Sequence, residues 1–179
     1  MPVHLGSLAR SVERLDYSAI QSDLIDVLSA VPVEHSIGVL VEAVRRGAPR
    51  VLTAHPVDTW IVRSIAGHVE IPPEYPGPGE GALAAAIVLL NAARDPRRST
   101  SQRLHHLAEG LCSVASAAGW AAYGAKYPAE WNASFERASR GGAAGKALLM
   151  FLDGEATDPD AQQAERQEWK AILESIGRL

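Results

Sequence analysis

RLHHLAEGLCSVASAAGWAAYGAKYPAEW, residues 103–131, holds two adjacent histidines, the chain's only cysteine and four aromatic side chains. At about 100° per residue on a helical wheel, Leu104, Leu107, Leu111, Val114, Ala118 and Ala122 gather on one side as a core stripe. A second line, His105, Glu109, Cys112, Ser116, Gly119 and Tyr123, runs along another side. A helix lying on a surface would carry lysines and glutamates there, yet no charge follows Glu109 until Lys126. The spacing therefore predicts a long central helix, Ser101–Lys126, packed on most sides. Ser99 and Gln102 have the spacing of a capping box at its start.

Helical grammar continues outward from this segment. Leu5, Leu8, Val12 and Leu15 recur at three- and four-residue steps, and Asp16–Ser18 supplies a break and a new cap. Ile20, Leu24, Val27 and Leu28 form the next stripe, which stops near Pro32. Ile37, Leu40, Val41 and Val44 follow, and RRGAP ends that helix, with Gly47 just past its end and Pro49 beyond. Pro56 opens a helix over 56–66. EIPPEYPGPGEG, residues 70–81, has four prolines and three glycines and reads as a long loop. An Ala-rich helix over 81–94 is closed by RDPRR. Past the central helix, Pro128 restarts the chain toward Phe135, a short apolar segment covers 143–152, and DGEATDP reads as a loop. Thr157 or Asp158 then caps a last helix that turns Trp169, Ile172, Leu173 and Ile176 inward. RVLT at 50–53 and HVEI at 68–71 are the only strand candidates, each too short to found a sheet.

These elements predict one all-α domain over residues 1–179, an irregular bundle of seven to nine helices around the 101–126 helix. Three similar helix ends, at 40–49, 89–98 and 135–144, raise a short α-solenoid as the alternative. At 179 residues, with 47% hydrophobic and 21% charged residues, the chain can bury a core without disulfides. A net charge of −4 argues against a nucleic-acid surface, and the longest apolar run, Ala82–Leu90, is about half of what a membrane span needs. The single cysteine excludes an internal disulfide and a multi-cysteine zinc site.

The second stripe is the candidate catalytic set: His105 with Glu109 one turn on as its orienting carboxylate, Cys112 a turn further, and Tyr123. The opposing reading makes His105 a partly wet helix-start residue and Cys112 a small buried hydrophobe. Trp120, Tyr123, Tyr127 and Trp131 recur at three and four residues, an aromatic line fit for a partner, a ligand or a core. No second carboxylate or histidine pair completes a metal site around His106 and Glu109, and no phosphate-loop, dinucleotide or nucleophile-elbow motif occurs. The expectation is a bacterial cytoplasmic protein without cofactor or metal that works by protein–protein contact, as an immunity, antitoxin-like or regulatory partner. The alternative is a small enzyme or ligand binder whose inter-helical pocket is lined by His105, Glu109, Cys112 and Tyr123.

Overall fold

The computed structural model describes residues 3–51, 78–130, 133 and 154–179. Six helices carry it: α1 (Val3–Glu13), α2 (Tyr17–Leu28), α3 (Val33–Val51), α4 (Pro78–Arg94), α5 (Thr100–Lys126) and α6 (Pro159–Ile176). Short helical turns at 128–130 and 154–157 follow α5 and precede α6. No strand occurs among the described residues. The protein is an all-α bundle in which α5, 27 residues long, packs against α2, α3, α4 and α6. This arrangement around one helix, rather than a stack of successive pairs, replaces the solenoid alternative.

Each start signal has a visible mechanism. The Ser99 hydroxyl accepts from the Gln102 backbone N–H while the Gln102 side chain accepts from the Ser99 N–H, so two otherwise orphaned donors are satisfied. Asp16 caps α2 through the Ala19 N–H. Asp158, not Thr157, caps α6 through the N–H groups of Asp160 and Ala161. Between α1 and α2, Leu15 takes a left-handed φ of 50° to make the short reversal. The Ser11 hydroxyl then donates to Asp23 across the pair.

Burial follows the periodicity. Leu104, Leu107, Leu111 and Val114 are in the core, joined by Ile20, Leu24 and Leu28 of α2, by Leu40 and Val44 of α3, and by Trp169 and Ile172 of α6. Ala108, Gly110, Ala115 and Ala117 are buried as well, so the middle of α5 is enclosed on more than its leucine face. Ala118 and Ala122 are only half-buried.

Three boundaries differ from the sequence reading. α3 does not end at Gly47; it runs through Pro49 to Val51. Val44 and Ala48 are fully buried, so packing of the apolar face outweighs the local stop signal. Gly47 instead serves a close crossing: a Cβ there would sit 3.3 Å from Val114 Cγ1 of α5. α4 begins at Pro78 rather than Gly81, since proline at the first helical position loses no needed donor. Residues 154–157, read as loop, form a helical turn. Arg50 and Val51 of the first strand candidate are helical. The second strand candidate, the helix expected over 56–66, loop positions 70–77, Phe135 and the 143–152 segment lie outside the described residues.

Candidate functional site

The stripe of α5 read as a pocket wall divides between two neighbours. In its first half, His105 and Glu109 are exposed. The His105 Nδ1 lies 3.0 Å from the Ser101 carbonyl of its own helix, and Glu109 accepts from Gln21 Nε2 of α2 at 3.4 Å. No hydrogen bond or ion pair joins His105 to Glu109. A hollow of about 320 Å³ is lined by Arg98, Ser101, Gln102, His105 and His106, without Glu109, Cys112 or Tyr123. Ser116 donates to the Tyr17 hydroxyl of α2, so this part of the stripe is the edge of the α2–α5 seam. Cys112 is half-buried against the core. Burial, and then the nearby Glu109 charge, push its thiol up to about 12, far from a nucleophilic thiolate at neutral pH.

The second half of the stripe faces the chain around α6. A side chain at Gly119 would run into Glu155 and the first turn of α6, and one at Gly154 would collide with the Tyr123 hydroxyl. Among the aromatics, Trp120 is half-buried against the core. The Tyr123 and Tyr127 rings stack at a tilt with centroids 4.8 Å apart, and the Lys126 ammonium stands 5.7 Å from the Tyr127 ring centre. Trp131 lies outside the described residues.

The structure brings together a different set of chemical groups at this end of α5. The position that a Gly119 Cβ would take is 2.5 Å from Glu155 Oε1, 3.3 Å from the Ala161 carbonyl and 3.5 Å from Glu165 Oε2. Both glutamates are interior, Glu155 being 7% and Glu165 4% exposed. Burial raises both carboxyls to about 7. The Asp158 charge adds to the rise at Glu155, while nearby indoles, Trp120 at Glu155 and Trp169 at Glu165, favour the charged forms. Glu165 Oε1 and the Trp169 indole nitrogen are nevertheless buried without a hydrogen bond of good geometry. Neither glutamate has an ion pair among the described residues. The Lys126 ammonium is held by Asp158 at 2.8 Å and Asp160 at 2.9 Å. Lys126 in turn keeps the Asp158 carboxyl below its usual range.

A neighbouring acid is resolved differently. Glu168, fully buried on the same helix, accepts from Arg46 of α3 at 2.7 Å. Among the described residues no three His, Cys, Asp or Glu side chains form a metal-binding group. One of the two glutamates left a trace in the sequence: Glu165 stands four residues after Ala161 and four before Trp169, on the apolar face of α6. Glu155 left none, because its inward direction depends on the turn at 154–157.

Toward the end of α6 lies an apolar groove. One part, about 460 Å³, is lined by Leu5, Ala9 and Leu173 among others, and a second, about 340 Å³, by Val27, Val31, Ile176 and Leu179. Leu5 and Gly177 border both, so the two hollows adjoin between α1, the end of α2 and the end of α6. Lys170, Glu174 and Arg178 stand along its edge.

No helix among the described residues is long and apolar enough to cross a membrane. Compared with models of protein families, with curated proteins and with solved structures, the chain matches none.

Proposed function

We propose that the protein acts by contact with a protein partner, as an immunity, antitoxin-like or regulatory component of a bacterial cytoplasm. The observation that supports this reading is the apolar groove formed by these two adjoining hollows between α1 and α6. It is open to solvent, walled by leucine, valine and isoleucine, and edged by charges of both signs. Such a groove suits the apolar face of an amphipathic helix, with the charged edge fixing its direction. The occupant is a helix of the partner carrying apolar residues at three- and four-residue steps between acidic and basic flanks.

The candidate catalytic set lends no comparable support, since His105 and Glu109 point away from one another's hydrogen bonds and Cys112 stays protonated. The test is co-purification with the products of neighbouring genes, repeated for Leu5→Asp and Leu173→Asp, with Val88→Asp on α4 as the control. Val88 is 43% exposed and away from the groove. A partner retained by Val88→Asp and lost by both groove variants supports the reading. A partner kept by all three variants, or a protein that stays a lone monomer, opposes it.

A further inference from the structure

The connection between α4 and α5, residues 95–99, carries two arginines against one acid in a chain whose net charge is −4. That acid, Asp95, is occupied by Arg97. Its carboxylate accepts from the Arg97 Nε at 2.9 Å and from the Nη2 and the backbone N–H at 3.0 Å each. Arg98 is left with less: its Nε stands 3.9 Å from the same carboxylate, and its Nη1 lies 3.2 Å from His106 Nε2. A guanidinium can only donate, so this imidazole nitrogen accepts and the ring proton sits on Nδ1, which is buried without a hydrogen bond. Arg98 thus rests on a neutral acceptor, and it borders the hollow of about 320 Å³ at the start of α5. The other groups there also offer donors. Gln102 turns its Oε1 back to the Ser99 N–H, which leaves its amide N–H groups. His105 donates through Nδ1 to the Ser101 carbonyl, which leaves Nε2, and the Ser101 hydroxyl stands beside it. Among the described residues no carboxylate lines this hollow.

We propose that this hollow binds a phosphate group, free or at the end of a small phosphomonoester, through Arg98, Ser101, Gln102 and His105. The planar guanidinium fork matches two phosphate oxygens at once. Moving from a neutral imidazole to a charged acceptor makes each Arg98 hydrogen bond about twice as strong. The serine hydroxyl and the glutamine amide donate to the remaining oxygens. His105 Nε2 donates to phosphate when the ring is charged and accepts from a phosphate hydroxyl when it is neutral. The site shares no lining residue with the apolar groove, so it stands independently of a protein partner there.

The probes are inorganic phosphate and the free amino acid phosphoserine, each titrated into the protein at constant ionic strength. The NMR signals of the Arg98 side chain and the His105 ring report the result. Both signals should move together and saturate. Arg98→Gln should weaken binding about tenfold or more, because a charge-assisted hydrogen bond is lost. The Arg98 side chain is 42% exposed, so this replacement leaves the core intact. Arg10→Gln, at an exposed position of α1, is the control for general charge and should bind as the wild type does. Tighter binding of phosphoserine assigns the site to an ester, and equal binding assigns it to the phosphate group alone. Shifts that grow without saturating, or an equal loss in Arg10→Gln, overturn the proposal, since phosphate would then only screen surface charge. Undiminished binding by Arg98→Gln overturns it as well and places the anion elsewhere.

Discussion

Leu111 is fully buried at the centre of α5, and Leu111→Ala should lower stability by about 2–5 kcal/mol, as core truncations that leave a cavity do. Denaturant unfolding measures this directly; a loss below about 1 kcal/mol would place another face of α5 inward. Two glycines in helices make a matched contrast. A Cβ at Gly38 meets nothing within 4 Å, so Gly38→Ala should stabilise by about 0.5–1 kcal/mol through helix propensity alone. A Cβ at Gly110 would lie 2.6 Å from Leu40 Cδ2, and Leu40 is fully buried with little room to withdraw. Gly110→Ala should therefore cost about 1–3 kcal/mol despite the same propensity gain. Cys112 should react with thiol reagents far more slowly in the native protein than after unfolding, because burial keeps it protonated. Native labelling at the unfolded rate would mean that this face of α5 opens freely.

At the scale of elements, the caps and stripes were legible and the interruptions were not. The Ser99–Gln102 box and the leucine line of α5 are local chemistry, decided within a few residues, and they fell where their spacing placed them. Ser99→Ala should cost about 1 kcal/mol of stability, and Asp158→Ala somewhat more, since Asp158 also accepts from Lys126. Equal or higher stability in either variant would show that these helix starts are held by packing alone. Gly47 read as a stop because a glycine followed by a proline usually is one; that Val114 of a distant helix presses against it is information about a neighbour, which no local pattern contains. The same limit applies to the site. His105, Glu109 and Cys112 share a line on one helix, but α2 runs along that line and separates their roles through Gln21 and Tyr17. Glu155 lies against Gly119 only because the 154–157 turn folds back over α5.

At the scale of the whole molecule, the buried acids govern how stability responds to pH. An unfolded glutamate loses its proton near 4.5, whereas Glu155 and Glu165 keep theirs to about 7 in the native state. Between those values the native state binds more protons, so the contribution is complete below 4.5 and is lost as pH rises through 7. Asp95, held at about 2 by Arg97, and Asp158, lowered by Lys126, act with the opposite sign and weaken the fold only on the acid side. Stability should fall by about 2–4 kcal/mol from pH 5.5 to 8.5, and the Glu155→Gln, Glu165→Gln double variant should show a much flatter profile. A wild-type profile that is flat or rises over that range would mean the carboxyls ionise normally. The groove between α1 and α6 is the feature on which the proposed function rests, and it owes nothing to any one motif. Its most direct test is a photo-crosslinking residue placed in turn at Ala9, at Leu173 and at Val88, with the protein kept in its native cellular setting. Crosslinks from Ala9 and Leu173 to the same helix of one partner, with none from Val88, are the expected result. Crosslinks to that partner from Val88 alone, or from no position, would contradict a function carried by this groove.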